Sequence, residues 1–291
     1  MKPAPFDYVR PATLAEACAY LSADEDARVI AGGQTLTPMM AMRLARPSKL
    51  VDVQRLPELA GVREEDDALV FGAAVRQVEA ERSALTRMKA PLLALALPWV
   101  GHHPTRSRGT IGGSIANADP AAEIPLVLAT LGGFVDYMTT SGPGRLAACD
   151  FFVGPMMTAL PSDAVLTAVR FPVWPTPVGV GFHEISARRS DFAFVSAAAQ
   201  ASFDEAGVCI ACTLGVGGAT PTPLRLEEVS LKLAGRRMSD DEIAQALEGP
   251  IAEMELMTDG YASVGYRRRV ARELAGRALR DARDMALGVR A

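Results

Sequence analysis

Cysteine is scarce in this sequence, and a basic excess and a long apolar run are missing altogether. Four scattered cysteines among 291 residues form no disulfide framework, which makes a reducing cytoplasm the default setting. A net charge of −4 argues against a nucleic-acid partner, which calls for a strong basic excess. The most apolar stretch, Ala90 to Val100, is interrupted by Pro91 and Pro98 and falls short of the roughly 20 residues a membrane span needs. Met1 to Asp7 has no apolar segment of the kind a signal peptide carries. Two of the three histidines are adjacent, His102-His103, so they point in different directions, and no third ligand lies at metal-site spacing. Cys209 and Cys212 have C-x-x-C spacing, but their segment reads as a strand, in which positions i and i+3 diverge. With no second pair, zinc and iron–sulfur sites are excluded. No Ser/His/Asp or Cys/His arrangement for nucleophilic catalysis is legible. What is present, 49% apolar and 22% charged residues, suits an ordinary soluble protein of two or three packed units.

The spacing divides the chain into three segments. In residues 1–54, Leu14, Ala17, Cys18 and Leu21 fall at helical spacing behind a candidate N-cap, Thr13. Arg28 to Ala31 then predicts a strand, Thr37-Pro38 the start of a short helix, and Leu50 to Val53 a second strand. That is a small parallel βαβ-like unit, with an anion-binding position after its first strand. Residues 55–176 predict a mixed α+β unit: a strand at Ala68–Gly72, helix from Val78 to Leu97 broken or kinked at Pro91, a helix at Glu123–Leu131, and strands at Phe134–Tyr137 and Asp163–Phe171. The proline cluster Pro172 to Pro177 reads as a linker. Residues 177–291 predict two strands, Ala193–Phe203 and Val208–Val216, joined by a hairpin at Asp204–Gly207. Helices follow, one behind the capping box Ser239 to Glu242 and one carrying Val270, Leu274 and Leu279. The expected class is α+β, with antiparallel sheet and helices in the last unit.

Two glycine pairs stand out. Gly32-Gly33-Gln34-Thr35 lies between a strand and a helix start, where N–H donors and a positive dipole end suit phosphate oxygens. It is neither a Walker loop nor G-x-G-x-x-G, and a plain tight turn is the alternative. Gly112-Gly113, within Thr110 to Pro120, looks like a second loop whose N–H groups no Cβ shields. Together the loops read as a two-sided cradle for a phosphate-bearing cofactor. Arg106 and Arg108 either add charge to it or are solvated or structural. Glu123 either accepts from a ribose hydroxyl or caps its helix. Phe182 to Ala193, on its own, reads as a charged loop before a strand.

In combination these stretches resemble the FAD-binding medium subunit of molybdenum hydroxylases, the family of carbon monoxide dehydrogenase and xanthine dehydrogenase. The resemblance runs through Pro3–Pro11, Ala31–Leu36, Arg43–Pro47, Arg108–Ser114, Phe152–Pro155, Ala187–Ala193, Gly217–Pro223 and Tyr266–Arg268, in order along the whole chain. It implies a two-part FAD-binding domain followed by a C-terminal flavoprotein domain. The implied cofactor-binding set is Ala31, Gly32, Gly33, Gln34, Thr35, Leu36, Thr110, Ile111, Gly112, Gly113, Ser114, Asn117, Asp119, Glu123, Leu166, His183, Asp191 and Phe192, with no catalytic residue and no metal ligand. Ser190 stands where relatives commonly have glycine, which puts that loop's backbone in question. His183 stands where the xanthine dehydrogenase branch has lysine, which weakens a reading of NAD as acceptor. The inserted cysteine cluster of one branch is missing.

The function implied is that of an electron outlet. A large partner subunit with molybdenum cofactor hydroxylates the substrate, a small [2Fe-2S] subunit passes electrons on, and FAD on this chain hands them to a quinone, NAD or oxygen. A dimer of heterotrimers is implied, in the cytoplasm or at the inner face of the membrane through the complex. Two rivals are an assembly scaffold with a decayed cofactor site, against which the intact glycines argue, and a free-standing flavin oxidoreductase.

Overall fold

A computed structural model describes residues 2–175 and 177–289; Thr176, in the expected linker and at its boundary, lies outside the described residues, as do Met1 and residues 290–291. The chain begins with β1 (Asp7–Val9), α1 (Leu14–Ser22), β2 (Arg28–Ile30), α2 (Leu36–Ala41) and β3 (Lys49–Asp52). These three strands form a parallel sheet in the order β1-β3-β2. Thr13 caps α1 as expected, its hydroxyl accepting from the Glu16 N–H, and Ala17, Cys18 and Leu21 are buried. Helix α2 starts earlier than Thr37-Pro38, with Thr35 as its N-cap, so the turn between β2 and α2 is tighter than expected.

The second unit comprises β4 (Val62–Glu65), β5 (Ala68–Gly72), α3 (Gln77–Arg82), α4 (Ala84–Lys89), α5 (Pro91–Ala96), α6 (His103–Arg108), α7 (Ile111–Asn117) and α8 (Glu123–Leu131). It continues with β6 (Phe134–Thr139), β7 (Gly142–Ala147), α9 (Ala148–Phe151), β8 (Phe152–Gly154), β9 (Met157–Thr158) and β10 (Val165–Pro172). Antiparallel pairing gives a five-stranded sheet, β4-β5-β10-β6-β7. The expected break at Pro91 is real: the segment is three short helices, with Ser83 capping α4 and Pro91 taking the first turn of α5, where its missing N–H costs nothing. Gly112 and Gly113 lie inside α7 and not in a loop, a correction taken up below.

The last unit holds β11 (Gly179–Ser186), β12 (Ala193–Phe203), β13 (Cys209–Gly217), β14 (Leu224–Arg225), α10 (Glu227–Leu233), α11 (Asp240–Glu253) and α12 (Val264–Ala286). Its antiparallel sheet runs β11-β12-β13-β14. The hairpin at Asp204–Gly207 and the reciprocal Ser239–Glu242 capping box are both present. Residues 182–186, expected in a loop, belong to β11. Cys209 and Cys212 do not diverge either. A bulge at Ile210 sets Phe203 opposite Cys209 and Ser202 opposite Ala211, and that extra residue turns both free thiols inward, where Cys212 donates to the Ser230 carbonyl at 3.6 Å.

Both faces of this sheet are covered, which is why β12 is buried along almost its whole length and carries five alanines among its eleven residues. On one face α12 approaches so closely that a Cβ at Gly179 or Gly181 would strike the Ala282 and Ala278 carbonyls. On the other, α8 packs over Gly215 and Gly217, and the Thr213 hydroxyl donates to the Thr130 carbonyl at 2.6 Å. Val180 and Phe182 accordingly belong to the core of the first two units, and Phe182 meets Trp99 at 6.0 Å between ring centroids. The sheet and the second unit therefore share one seam.

Candidate functional site

A cleft of about 610 Å³ opens where the three units meet, within the ~300–1,000 Å³ range of cofactor and small-molecule sites. Its first wall is the β2–α2 junction. Gly33 takes φ +68°, the left-handed conformation that turns the strand into the helix, and the Gln34 amide folds back onto the Gly32 carbonyl at 3.1 Å. Among the described residues, no acceptor takes the backbone N–H groups of Gly32, Gly33, Gln34 or Thr35. Four consecutive donors without an acceptor, in a stretch that lines the cleft, make a candidate anion nest. Of the cationic side chains among the described residues, only Arg28 reaches the rim, and its guanidinium is tied to the Glu25 and Ala27 carbonyls at 2.7 Å each.

The second wall is the start of α7, and it differs from the expected open loop. Residues 109–112 run beside 73–77: the Ile111 N–H donates to the Val75 carbonyl at 2.9 Å and the Gly112 N–H to the Ala73 carbonyl at 3.0 Å. Gly113 N–H donates to the Thr110 hydroxyl at 2.9 Å, the N-cap bond of the helix. No donor of the Gly112-Gly113 pair is left for a phosphate. Glycine is needed here for packing, since a Cβ at Gly112 would lie 2.6 Å from that of Ala73. This wall offers side chains instead: Ser114, Asn117, Asp119 and Glu123 all line the cleft.

Gly32 joins the walls, lying so close to the Arg108 carbonyl and Gly109 that no side chain fits between. Arg76 fastens the joint, donating to the Arg108 carbonyl and, at 2.6 Å, to the Gln54 amide oxygen. Arg106, read as a possible source of charge, is buried in an ion pair with Glu81 at 2.8 Å and bonds the Val100 and Gly101 carbonyls. Its role is structural, and Arg108 does not line the cleft.

The third unit closes one side. Ser190, Asp191 and Phe192 reach the cleft from the β11–β12 loop, with Phe192 71% exposed. Ser190 adopts φ +65°, so the backbone keeps the left-handed form a glycine would take without strain. Asp191 is held by Arg188 at 3.2 Å.

Of the expected residues, the structure brings together Ala31 to Leu36, Thr110, Gly113, Ser114, Asn117, Asp119, Glu123, Asp191 and Phe192. Four stand apart from the cleft lining. Ile111 and Gly112 are on the buried side of α7, and Leu166 sits in the core beside a bulge of β10. His183 faces away: alternation along β11 puts it with Gly179 and Gly181 on the α12 side, where its Nε2 lies 2.7 Å from Asp281. Sequence reasoning missed Gln77, Gly101, Thr105 and Gly109 in the lining. Gln77 carried no motif, and only tertiary contact shows that its N–H holds the Gly109 carbonyl at 2.9 Å.

Burial dominates the electrostatics. It holds Asp119 above the ordinary carboxylate range, against the pull of the Ala121 N–H. It pushes Glu123, at the first position of α8, up to about 7; the nearby Asp119 charge adds to the shift, and the helix-terminal N–H and Arg106 oppose it. No group of three or more metal-ligating side chains is found among the described residues, and no described helix is long and apolar enough to cross a membrane.

This geometry agrees with what comparison with known proteins finds. Residues 4–174 match the family model of the FAD binding domain in molybdopterin dehydrogenase, and residues 181–282 that of the CO dehydrogenase flavoprotein C-terminal domain. The chain is 34% identical over 283 residues to the 6-hydroxypseudooxynicotine dehydrogenase complex subunit alpha of Paenarthrobacter nicotinovorans, covering 97% of this chain and 96% of the relative. It is 33% identical to the carbon monoxide dehydrogenase medium chain of Afipia carboxidovorans, covering 98% and 99%. Among solved structures, a chain of the Cu,Mo-CO dehydrogenase superposes with a TM-score of 0.95 at 33% identity over 98% of this chain and 100% of the other. One of quinoline 2-oxidoreductase from Pseudomonas putida 86 gives 0.93 at 33%, over 99% and 100%. The chain belongs to the FAD-binding medium subunits of the molybdenum hydroxylase family.

Proposed function

We propose that this chain holds FAD in the cleft between its three units, accepts electrons from a partner [2Fe-2S] subunit and passes them to an external acceptor, a quinone, NAD or oxygen. The observation that carries the reading is the row of four free N–H groups at Gly32–Thr35 facing the polar side chains of α7 and α8 across one cleft. A pyrophosphate suits such a nest, and a Cβ at Gly32 would push the nest away from Arg108 and Gly109 of the second wall. Bound FAD supplies one- and two-electron redox chemistry. The chain's own residues place it: the nest of the first wall neutralises phosphate charge, Ser114, Asn117 and Glu123 meet hydroxyls, and Phe192 offers an aromatic face from the third unit. Domains at 1–54, 55–176 and 177–291 would let these surfaces close on the cofactor from three sides.

Substrate chemistry belongs to a large molybdenum-cofactor partner. Near full-length relatives at 31–34% identity are subunits of enzymes named for 6-hydroxypseudooxynicotine, caffeine, carbon monoxide and glyceraldehyde, molecules with no common recognition chemistry. What such chains share is the cofactor site. Assembly as a dimer of heterotrimers in the cytoplasm completes the proposal.

The test is to purify the chain with its companions from its native source, record the visible spectrum and identify the companions by mass spectrometry. Flavin bands at about 370 and 450 nm with one large and one small partner are expected. A colourless preparation would sink the cofactor reading, and a yellow chain without companions would mean a free-standing flavoenzyme.

A further inference from the structure

Strand alternation gives β11 two chemically different faces. Gly179, Gly181 and His183 look toward α12, and Val180, Phe182 and Glu184 toward the second unit. Both carboxyl oxygens of Glu184 are buried there with no hydrogen-bond partner among the described residues. Its cross-strand neighbour Ser196 is 0% exposed, and the Ser196 hydroxyl also lacks a partner. Ser196 pairs in turn with Gly217, whose open face is covered by Leu126 of α8. Glu184, Ser196 and Gly217 therefore form one row under the first turn of α8, and Glu123 lies one turn before Leu126.

Three polar atoms without partners in a dry seam mark a site built around something small that bonds them. The elements around it add no cation. Glu123 is the one titratable residue of α8, α5 has none, and the charge acting on Glu184 is that of Glu123. On Glu123 itself Asp119 and Arg106 act in opposite directions. His183 and Asp281 pair on the other face of the sheet. Burial first, and then the Glu123 charge, push Glu184 up to about 8, and burial with the Asp119 charge pushes Glu123 up to about 7.

We propose that Glu123 and Glu184 share a single proton across the seam between the cleft and the four-stranded sheet, with the Ser196 hydroxyl as third member. Two carboxylates cannot both ionise at close quarters in a dry site, and an O–H···O bond between them satisfies the stranded oxygens. Glu184 then acts as a positioning residue. It keeps the proton, leaving Glu123 negative and able to accept a hydroxyl from whatever occupies the cleft. The pair is a property of the empty chain; only its consequence for the cofactor rests on the FAD reading.

The test is thermal unfolding of the full chain against pH, from about 6 to about 9, for the native protein and for Glu184→Gln, Glu123→Gln and Asp119→Asn. The folded state binds a proton that the unfolded chain has already released, so stability falls as pH rises through the raised range. The native midpoint should drop by about 4 °C or more across that window. Glu184→Gln should remove most of the drop, Glu123→Gln should shift it to lower pH because the Glu123 charge no longer opposes ionisation of Glu184, and Asp119→Asn should keep it. A native-like drop in Glu184→Gln would overturn the pair. So would the absence, in the native protein near pH 6.5, of an infrared band from a protonated carboxyl, a result that holds even if a variant fails to fold. Both measurements work with or without flavin, so the pair and the FAD reading can fail separately.

Discussion

Gly32 lies directly on Gly109: a Cβ built on Gly32 would sit 2.8 Å from the Gly109 Cα. Backbone touches backbone here, so nothing at this joint can rotate out of the way. Gly32→Ala should therefore part the two walls of the cleft while leaving each unit folded. Flavin bound per chain should fall at least tenfold, a loss of about 1.4 kcal/mol or more, with an unchanged far-ultraviolet circular dichroism spectrum. Full flavin content in Gly32→Ala would remove the joint from the argument.

Gly112 predicts a different outcome, although it too belongs to a glycine pair. Its N–H is bonded to the Ala73 carbonyl, and an added methyl would overpack the helix against Ala73. Gly112→Ala should cost about 1–3 kcal/mol of stability, read by urea denaturation. At a temperature where the variant stays folded, its flavin affinity should lie within about threefold of native, because no donor to the cofactor is lost. A large affinity loss without a stability loss would make Gly112 a direct ligand after all.

These two glycines show what was legible in the sequence and what was not. Local signals marked the elements well where one residue decides them: Thr13 as a cap, Pro91 as a helix break, Asp204–Gly207 as a hairpin. The Gly-Gly pairs likewise marked both walls. Whether a glycine is there to free its N–H or to let another chain segment come close depends on a partner elsewhere, and Ala73 is about forty positions away from Gly112. The same limit explains His183, whose direction follows from which face of β11 α12 covers. It also explains Cys209, turned inward by a bulge that no spacing rule announces. Glu184 was invisible for a further reason. A lone glutamate in a strand looks solvated until the sheet is found to be covered on both faces.

Two helix caps separate stability from function. Thr110 caps α7 with its hydroxyl on the Gly113 N–H at 2.9 Å, and Ser239 caps α11 within a reciprocal box. Thr110→Ala and Ser239→Ala should each cost about 1 kcal/mol in denaturant melts. Only Thr110→Ala should also weaken flavin retention, because the first turn of α7 is a wall of the cleft and α11 is remote from it. Equal flavin retention in both variants would mean that α7 holds its place without the cap.

Arg267 ties the third unit to the cleft. Fully buried at the start of α12, it donates from one nitrogen to the Phe194 carbonyl at 2.5 Å and the Gly218 carbonyl at 2.6 Å, and from the other to Asp259. Those carbonyls flank the chain that presents Phe192, and Gly218 in turn donates to the Pro120 carbonyl at 2.7 Å, beside Asp119. Arg267→Met keeps much of the volume but strands two buried acceptors, at about 1–3 kcal/mol each, so a total loss of roughly 2–5 kcal/mol is expected in urea titration. Arg267→Lys should recover less than half of it, since a single ammonium cannot span the geometry of a planar fork. If lysine restored full stability, charge alone would suffice and the fork would have no role. If methionine cost nothing, the Phe194 and Gly218 carbonyls would have to find other donors, and protection from hydrogen exchange at Gly218 would show whether the link to Pro120 had survived.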